Sequence, residues 1–382
     1  MPSARKRYPR VARLTRRCFV LVGVFVLSLA FAATAYAAAR RHHGRTARRH
    51  LGRVARRLRS RGPLTFFVAQ NGSDSNSGTS PSRPWRTVWR VDRASLRAGD
   101  SVLFRGGDTF SDTTLMPGEG FQASGTTGRP ITFGSYGAGD ATITNGIWLG
   151  TDAQHPHGPQ HLTFQDLALG PEQGFQGTGN YISLLRLRIE DMLAPVSRGE
   201  TAIMTEGSHW VIAGNFIYRA GDSGMLLGFS AGYPGAPPGG SHYLVEHNTI
   251  EHTGLDPSLG YGSHGIYDKV ADATIADNTI ADFRDDGVSA RYRNARIVGN
   301  NISYGGIGIG WYQYDRQRGT SRFMFNHIEG TTEAGIFVCG VAEACQRPLG
   351  SFVIAHNDLF HTFGDVLNLQ PISGRYDVFA NY

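Results

Sequence analysis

The chain has 382 residues, 50 of them Gly, and a formal net charge of +7. The charge is uneven: residues 1–62 hold 17 of the 38 Lys+Arg and no Asp or Glu, so the rest carries 21 basic against 31 acidic residues, a net of −10. An acidic body excludes nucleic acid as the main partner, because phosphate binding needs a basic surface.

The first element is a leader over residues 1–39. A basic stretch ends at Arg16-Arg17, an apolar run follows from Cys18 to Ala39, and Ala35-Tyr36-Ala37 has the small-x-small form of a signal-peptidase site. Thr15-Arg16-Arg17-Cys18-Phe19-Val20-Leu21 resembles a twin-arginine export signal. The run is also long enough for an uncleaved helix, which needs about 20 apolar residues to span a bilayer. Signal peptide and membrane anchor both stay open, and both put the body outside the cytoplasm. Residues 40–62 form an Arg-rich linker, including Arg45, Arg48, Arg49, Arg56 and Arg57. It reads equally as a solvated tether or as a basic helix on anionic lipid or wall polymer.

The body, residues 63–382, shows few helical periodicities. Short β-type runs broken by Gly, Asn and Asp dominate. The phrase apolar-x-x-Asn-x-apolar recurs around Asn215, Asn248, Asn278, Asn300, Asn326 and Asn357, at separations of 33, 30, 22, 26 and 31 residues. Copies without the Asn fall at Leu162–Leu169 and Leu184–Ile189. A second phrase alternates with the first, a small residue before a short apolar alternation, as at Gly224, Gly265, Gly287 and Gly335. Each period therefore supplies at least two strands and two turns. A period of this length without helices is a solenoid signature. A Greek-key sandwich would instead show turn signals every 8–12 residues or so. The repeated Asn is expected to be structural, an internal ladder at a sharp turn. The chain reaches Tyr382 inside another such phrase, begun at Val378, which leaves open that coils continue beyond it.

Phe66-Phe67-Val68-Ala69-Gln70-Asn71-Gly72-Ser73-Asp74-Ser75-Asn76-Ser77-Gly78-Thr79 resembles the entry segment of bacterial extracellular right-handed parallel β-helix proteins of the pectate-lyase-like kind. Ala98-Gly99-Asp100-Ser101-Val102-Leu103-Phe104-Arg105-Gly106-Gly107 and Gly128-Arg129-Pro130-Ile131-Thr132-Phe133 share that resemblance. It implies an all-β, single-stranded right-handed parallel β-helix over the whole body and says little about activity.

Strand alternation places Lys269, the one Lys of the body, and Arg291, 22 residues later, outward and one coil apart. Side by side on an open groove they would make a positive field suited to an anionic sugar; the alternative is a solvated cation pair. Ile266-Tyr267-Asp268-Lys269 with Gly287-Val288-Ser289-Ala290-Arg291 resembles the catalytic segment of polysaccharide lyase family six, the alginate lyases and chondroitinase B. That resemblance implies that Lys269 abstracts the proton beside a uronate carboxylate while Arg291 assists at the leaving oxygen. The family's two calcium-binding Glu positions are here Gly262 and His264, so a calcium site is not matched and no other cofactor or metal is expected. His264 and Tyr267 complete the catalytic candidates, either for metal-free β-elimination or for C5 epimerisation, with a core His and a surface Tyr as the alternatives.

Asp285-Asp286-Gly287 and Ser263-His264-Gly265 also resemble polygalacturonase motifs, but in the wrong order and without a later Arg-x-Lys. Asp286 reads otherwise as a turn residue. Trp311-Tyr312-Gln313-Tyr314 and the Gly/Pro-rich loop Phe229–His242 read equally as a sugar-binding wall or as plain packing between loop and coil, and Arg293, Asp286, Tyr312 and Tyr314 are expected as substrate contacts. Cys339 and Cys345, six positions apart in an exported body, are expected to form a disulfide. The expected partners are a polysaccharide and, at the N-terminal helix, a membrane, with the body a monomer. The function expected is a lyase or C5-epimerase on a uronate glycan; the alternative is a non-catalytic wall- or glycan-binding solenoid.

Overall fold

The structure is a computed structural model that describes residues 62–117, 123–151, 157–193, 201–231, 236–259, 262–314, 318–339 and 350–382. The expected leader and all but the last residue of the Arg-rich linker lie outside these residues, as does Cys345. No helix among the described residues is long and apolar enough to cross a membrane.

Successive coils pair in parallel and join 29 strands into one continuous sheet. Each coil in the middle of the chain has three strands, one more than the minimum expected. Val211–Ala213, Phe216–Ala220 and Met225–Leu227 make one coil. Thr274–Ala276, Thr279–Phe283 and Asp286–Ala290 make another. Three satisfies the expectation of at least two, and the third arises because apolar-x-x-Asn-x-apolar spans a corner: its two apolar ends lie on different faces of the solenoid.

Alternation fixes which residues stack. Ile212, Val245, Ile275 and Ile297 form one interior column, in register from coil to coil. Ile217, Ile250, Ile280 and Ile302 form a second. Met225, Ile266, Val288 and Ile309 form a third. All twelve side chains are fully buried. Burying one such side chain contributes about 1.5–3 kcal/mol, and no coil can do it alone. At the N-terminal end the short helix Val88–Asp92 adds Val88 and Val91 to the same core.

The Asn ladder forms as expected. Asn278 Nδ2 donates to Asn300 Oδ1 at 2.9 Å and to Val245 O at 3.0 Å, and its own Oδ1 accepts from Asn248 Nδ2 at 2.9 Å. The pattern repeats from Asn215 to Asn357 and reaches Asn381. Each buried amide thereby satisfies the corner backbone.

A glycine column starts the third strand of each coil. A Cβ on Gly265 would lie 2.4 Å from Ile280 Cγ2 and 2.6 Å from Gly287 O, and one on Gly287 would lie 2.4 Å from Ile302 Cγ2. These glycines, one just before Ile266–Asp268 and one near the start of Asp286–Ala290, let the two strands close onto the core and stack tightly.

Candidate functional site

The register Tyr267↔Ser289 and Asp268↔Ala290 carries forward one residue to set Lys269 beside Arg291 on the next coil. The backbone locks this arrangement: Arg291 N donates to Asp268 O at 2.9 Å, and Lys269 N donates to Leu227 O at 2.9 Å. The coil after that brings Tyr312 and Tyr314, with Tyr314 N donating to Arg291 O at 2.9 Å.

Tyr267 is the hub. Lys269 Nζ lies 4.2 Å from its ring centroid, Arg291 Cζ 4.8 Å, and the His264 ring meets it edge-on at 4.5 Å. Arg291 Cζ also sits 4.1 Å from the Tyr312 ring and 5.5 Å from the Tyr314 ring. Six of the expected residues, His264, Tyr267, Lys269, Arg291, Tyr312 and Tyr314, are thus brought together. Arg293 lies in the turn beyond, half-buried, its carbonyl accepting from Asp272 N at 3.2 Å.

The expected open groove is instead a recess: Lys269 is 8% exposed and Arg291 7%. The physical reason is the aromatic collar around Arg291, together with the stretch Ala236–Gly240 alongside. Tyr292 Oη donates to Ala236 O at 2.9 Å, and Gly239 N donates to Lys269 O at 3.1 Å. Trp311 does not belong to a sugar-binding wall. It is fully buried, with Nε1 donating to Tyr292 O at 3.2 Å and its ring edge-on to Phe352.

Asp286 is not a solvated turn residue. It is fully buried, its Oδ1 accepts from Tyr312 Oη at 3.3 Å and its Oδ2 from Ser289 Oγ, and its N–H donates to His264 Nδ1 at 3.2 Å. Ser289 is fully buried and sealed by that bond. Asp268 is also fully buried, with Oδ1 accepting from Val270 N at 3.0 Å.

Burial governs the electrostatics. It pushes Asp268 and Asp286 up to about 7, with Asp285 adding to the rise at Asp286. Burial lowers Lys269, and the Arg291 charge lowers it further, with Asp222 opposing. His264 is held well below its ordinary value by burial, then by Arg291 and Lys269. Burial pushes Tyr267 up to about 12 and raises Tyr312, with Asp286 adding to the latter. Several polar atoms find no hydrogen-bond partner among the described residues: Arg291 Nε and Nη1, His264 Nε2 and Asp268 Oδ2. A buried guanidinium with two unmet nitrogens, Nε and Nη1, beside an ammonium is suited to an oxyanion.

His264, Asp285 and Asp286 bring candidate metal-ligand atoms within 4.8 Å of one another. They do not fit calcium, which takes six to eight oxygens, roughly. His264 Nδ1 already accepts from Asp286 N, both Asp286 oxygens accept from hydroxyls, and Asp285 Oδ2 accepts from Gly262 N at 3.0 Å. Gly262 and His264 supply no carboxylate where the lyase family has two. Cys339 is disulfide-bonded; its expected partner, Cys345, lies outside the described residues.

Asp268, Ser289 and Tyr292 were not singled out as functional from sequence. Alternation marks Asp268 as inward, and a carboxylate at an inward position beside a lysine was the available signal. Nothing local marks Tyr292.

Three parallel stacked faces and a continuous interior make the body a parallel β-helix. No protein-family model matches the chain. It is similar to lacto-N-biosidase of Bifidobacterium longum subsp. longum, 34% identical over 83 residues, 21% of this chain and 5% of that protein. It is also similar to the uncharacterized protein YwoF of Bacillus subtilis (strain 168), 27% identical over 318 residues, 66% of this chain and 65% of that one. The chain thus spans less than two thirds of each of these curated relatives. Among solved structures, the GH136 lacto-N-biosidase from Eubacterium ramulus superposes with a TM-score of 0.53 at 16% identity, covering 86% of this chain and 68% of that one. That likeness shows the fold.

Proposed function

We propose that this is an exported, polysaccharide-active protein whose site acts on a uronate-containing glycan by abstracting the C5 proton. The observation that carries the reading is the Lys269–Arg291 pair: two cations on successive coils share the Tyr267 ring, and Arg291 keeps two buried nitrogens unmet. Two like charges held together without an ion pair are unfavourable alone and become favourable around an anion. A lacto-N-biosidase among the relatives agrees with a glycan as ligand.

In this reading Arg291 faces the uronate carboxylate and offsets the charge that spreads onto it as the proton leaves. Lys269 is the base. Its lowered pKa makes the free amine more accessible than on an ordinary lysine. Collapse of the carbanion with loss of the C4 oxygen gives β-elimination; return of a proton to the opposite face gives epimerisation. The shallow exposure of both cations favours a second reading, a glycan-binding solenoid without turnover.

The test is to incubate the full chain with polygalacturonate, alginate and hyaluronan. Ultraviolet absorbance reports unsaturated ends, and deuterium uptake at C5 reports proton abstraction. Either signal on one polymer supports the enzymatic reading. Retention on such a polymer without either signal supports the binding reading, and neither turnover nor retention refutes both.

A further inference from the structure

We infer that Tyr312 is a second proton-handling residue of this site, supplying the proton to the departing C4 oxygen, and that Asp286 is the positioning residue that recharges it. The inference rests on the uronate reading above and adds a residue pair whose catalytic role neither the motif nor the register indicates.

The geometry has three parts. First, Lys269, Arg291 and Tyr312 rise on three successive coils, so the backbones of the outer two are about 10 Å apart along the axis. Arg291 stands between them, 4.8 Å from the ring beside Lys269 and 4.1 Å from the ring of Tyr312. A base and an acid flanking one guanidinium is the arrangement that elimination needs, since the proton removed and the proton delivered are on different atoms. Second, Tyr312 is half-buried and its hydroxyl is bonded to a carboxyl group that is itself fully buried. Third, that carboxyl is held at every point: Ser289 Oγ on Oδ2, Tyr312 on Oδ1 and His264 Nδ1 on the backbone N–H. The contact exists because position 310 is Gly. A Cβ there would lie 2.6 Å from Asp286 Oδ2 and 2.7 Å from Tyr312 Cε2.

The proton inventory closes. Lys269, as free amine, takes the C5 proton, and the C–H electron pair becomes the C4–C5 double bond. The C4–O4 bond breaks with its pair on O4. In protonated Asp286 the Oδ1 proton faces Tyr312 Oη, the reverse of the bond made to the carboxylate, so O4 takes the Tyr312 hydroxyl proton and the Asp286 proton follows to the tyrosine oxygen. Lys269 ends as ammonium and Asp286 as carboxylate, and exchange with solvent resets both. Burial and the neighbouring Asp285 hold the Asp286 carboxyl at about 7, so it can give up and regain a proton near neutrality.

The experiment uses the full chain in D2O with polygalacturonate, alginate and hyaluronan, reading unsaturated ends and C5 deuterium in parallel. Tyr312→Phe is expected to lose about 100-fold or more in unsaturated ends, the usual scale for a positioned acid, while still incorporating deuterium at C5. Lys269→Met is expected to lose both. The wild-type rate is expected to fall as pH rises through 7, and Asp286→Asn to be without that fall. Retained deuterium uptake shows that the tyrosine variant is folded. Loss of both signals together in Tyr312→Phe, or retention of both, overturns the assignment while leaving the Lys269 reading standing. A wild-type chain silent in both signals on every polymer overturns the uronate reading and this inference with it.

Discussion

Lys269 and Arg291 stand on successive coils and rest against one ring, Nζ at 4.2 Å and Cζ at 4.8 Å from the centre of Tyr267. The pairing follows from strand register, and its charge is balanced by no salt bridge to Arg291 among the described residues.

Arg291→Ala is therefore expected to raise the barrier to turnover by about 2–3 kcal/mol, the scale of losing one preorganised charge-stabilising group. Removing a buried cation from beside Asp286 and Asp268 also leaves those acids less stabilised when charged. Asp286 should consequently keep its proton to higher pH, so the alkaline fall in the rate of Arg291→Ala should lie above that of the wild type. Steady-state rates across pH on the responsive polymer decide this, and an unchanged rate contradicts it.

Asn278→Ala tests the ladder. The side chain makes bonds to three neighbours, Val245, Asn300 and Asn248, inside the wall. Unmet buried partners cost about 1–3 kcal/mol, so the melting temperature should drop while the chemistry per folded molecule persists. A variant that melts normally yet loses ligand binding would mean that the Asn column serves the ligand.

The fold was legible in the sequence because its two repeating devices are single residues with one job. An Asn at the corner has to bond the Asn above it, and a Gly before the third strand admits the next coil's carbonyl. Both leave a periodic mark. The division into three faces was not legible, because Ile212 and Ile217 read as one run although a corner separates them. Lys269 and Arg291 were legible as neighbours through parity and a one-coil spacing. Their depth was not, since the collar of Tyr267, Tyr312 and Tyr314 closes only when three coils are stacked. Asp286 read as a turn residue because its Ser289 and Tyr312 partners come from its own strand and the next coil, and no local pattern joins them.

Stability should depend on pH through the buried acids. Asp268 is raised from 3.8 to about 7 by burial. The folded chain holds a proton there that the unfolded chain has released, so this stabilisation is complete below 3.8 and is lost as pH rises through about 7. Asp286 acts in the same direction. Melting temperature is expected to fall from about pH 4 to about pH 7, and Asp268→Asn, neutral throughout, should flatten part of that fall. An unaltered slope in the variant would place the carboxyl in a more polar setting than its burial indicates.

Cys339 is bonded, and Cys345 is the partner expected from sequence. Peptide mapping of protein recovered from outside the cell, without reduction, should show the two joined. Recovery of both as free thiols would refute the pairing.

In the proposed reaction Lys269 removes a proton from C5 of a uronate. Deuterium uptake at that carbon, measured by NMR in D2O for the full chain and for Lys269→Met, tests it most directly. The expected result is uptake by the wild type and none by a variant of unchanged melting temperature. Equal uptake by both would show that another group is the base.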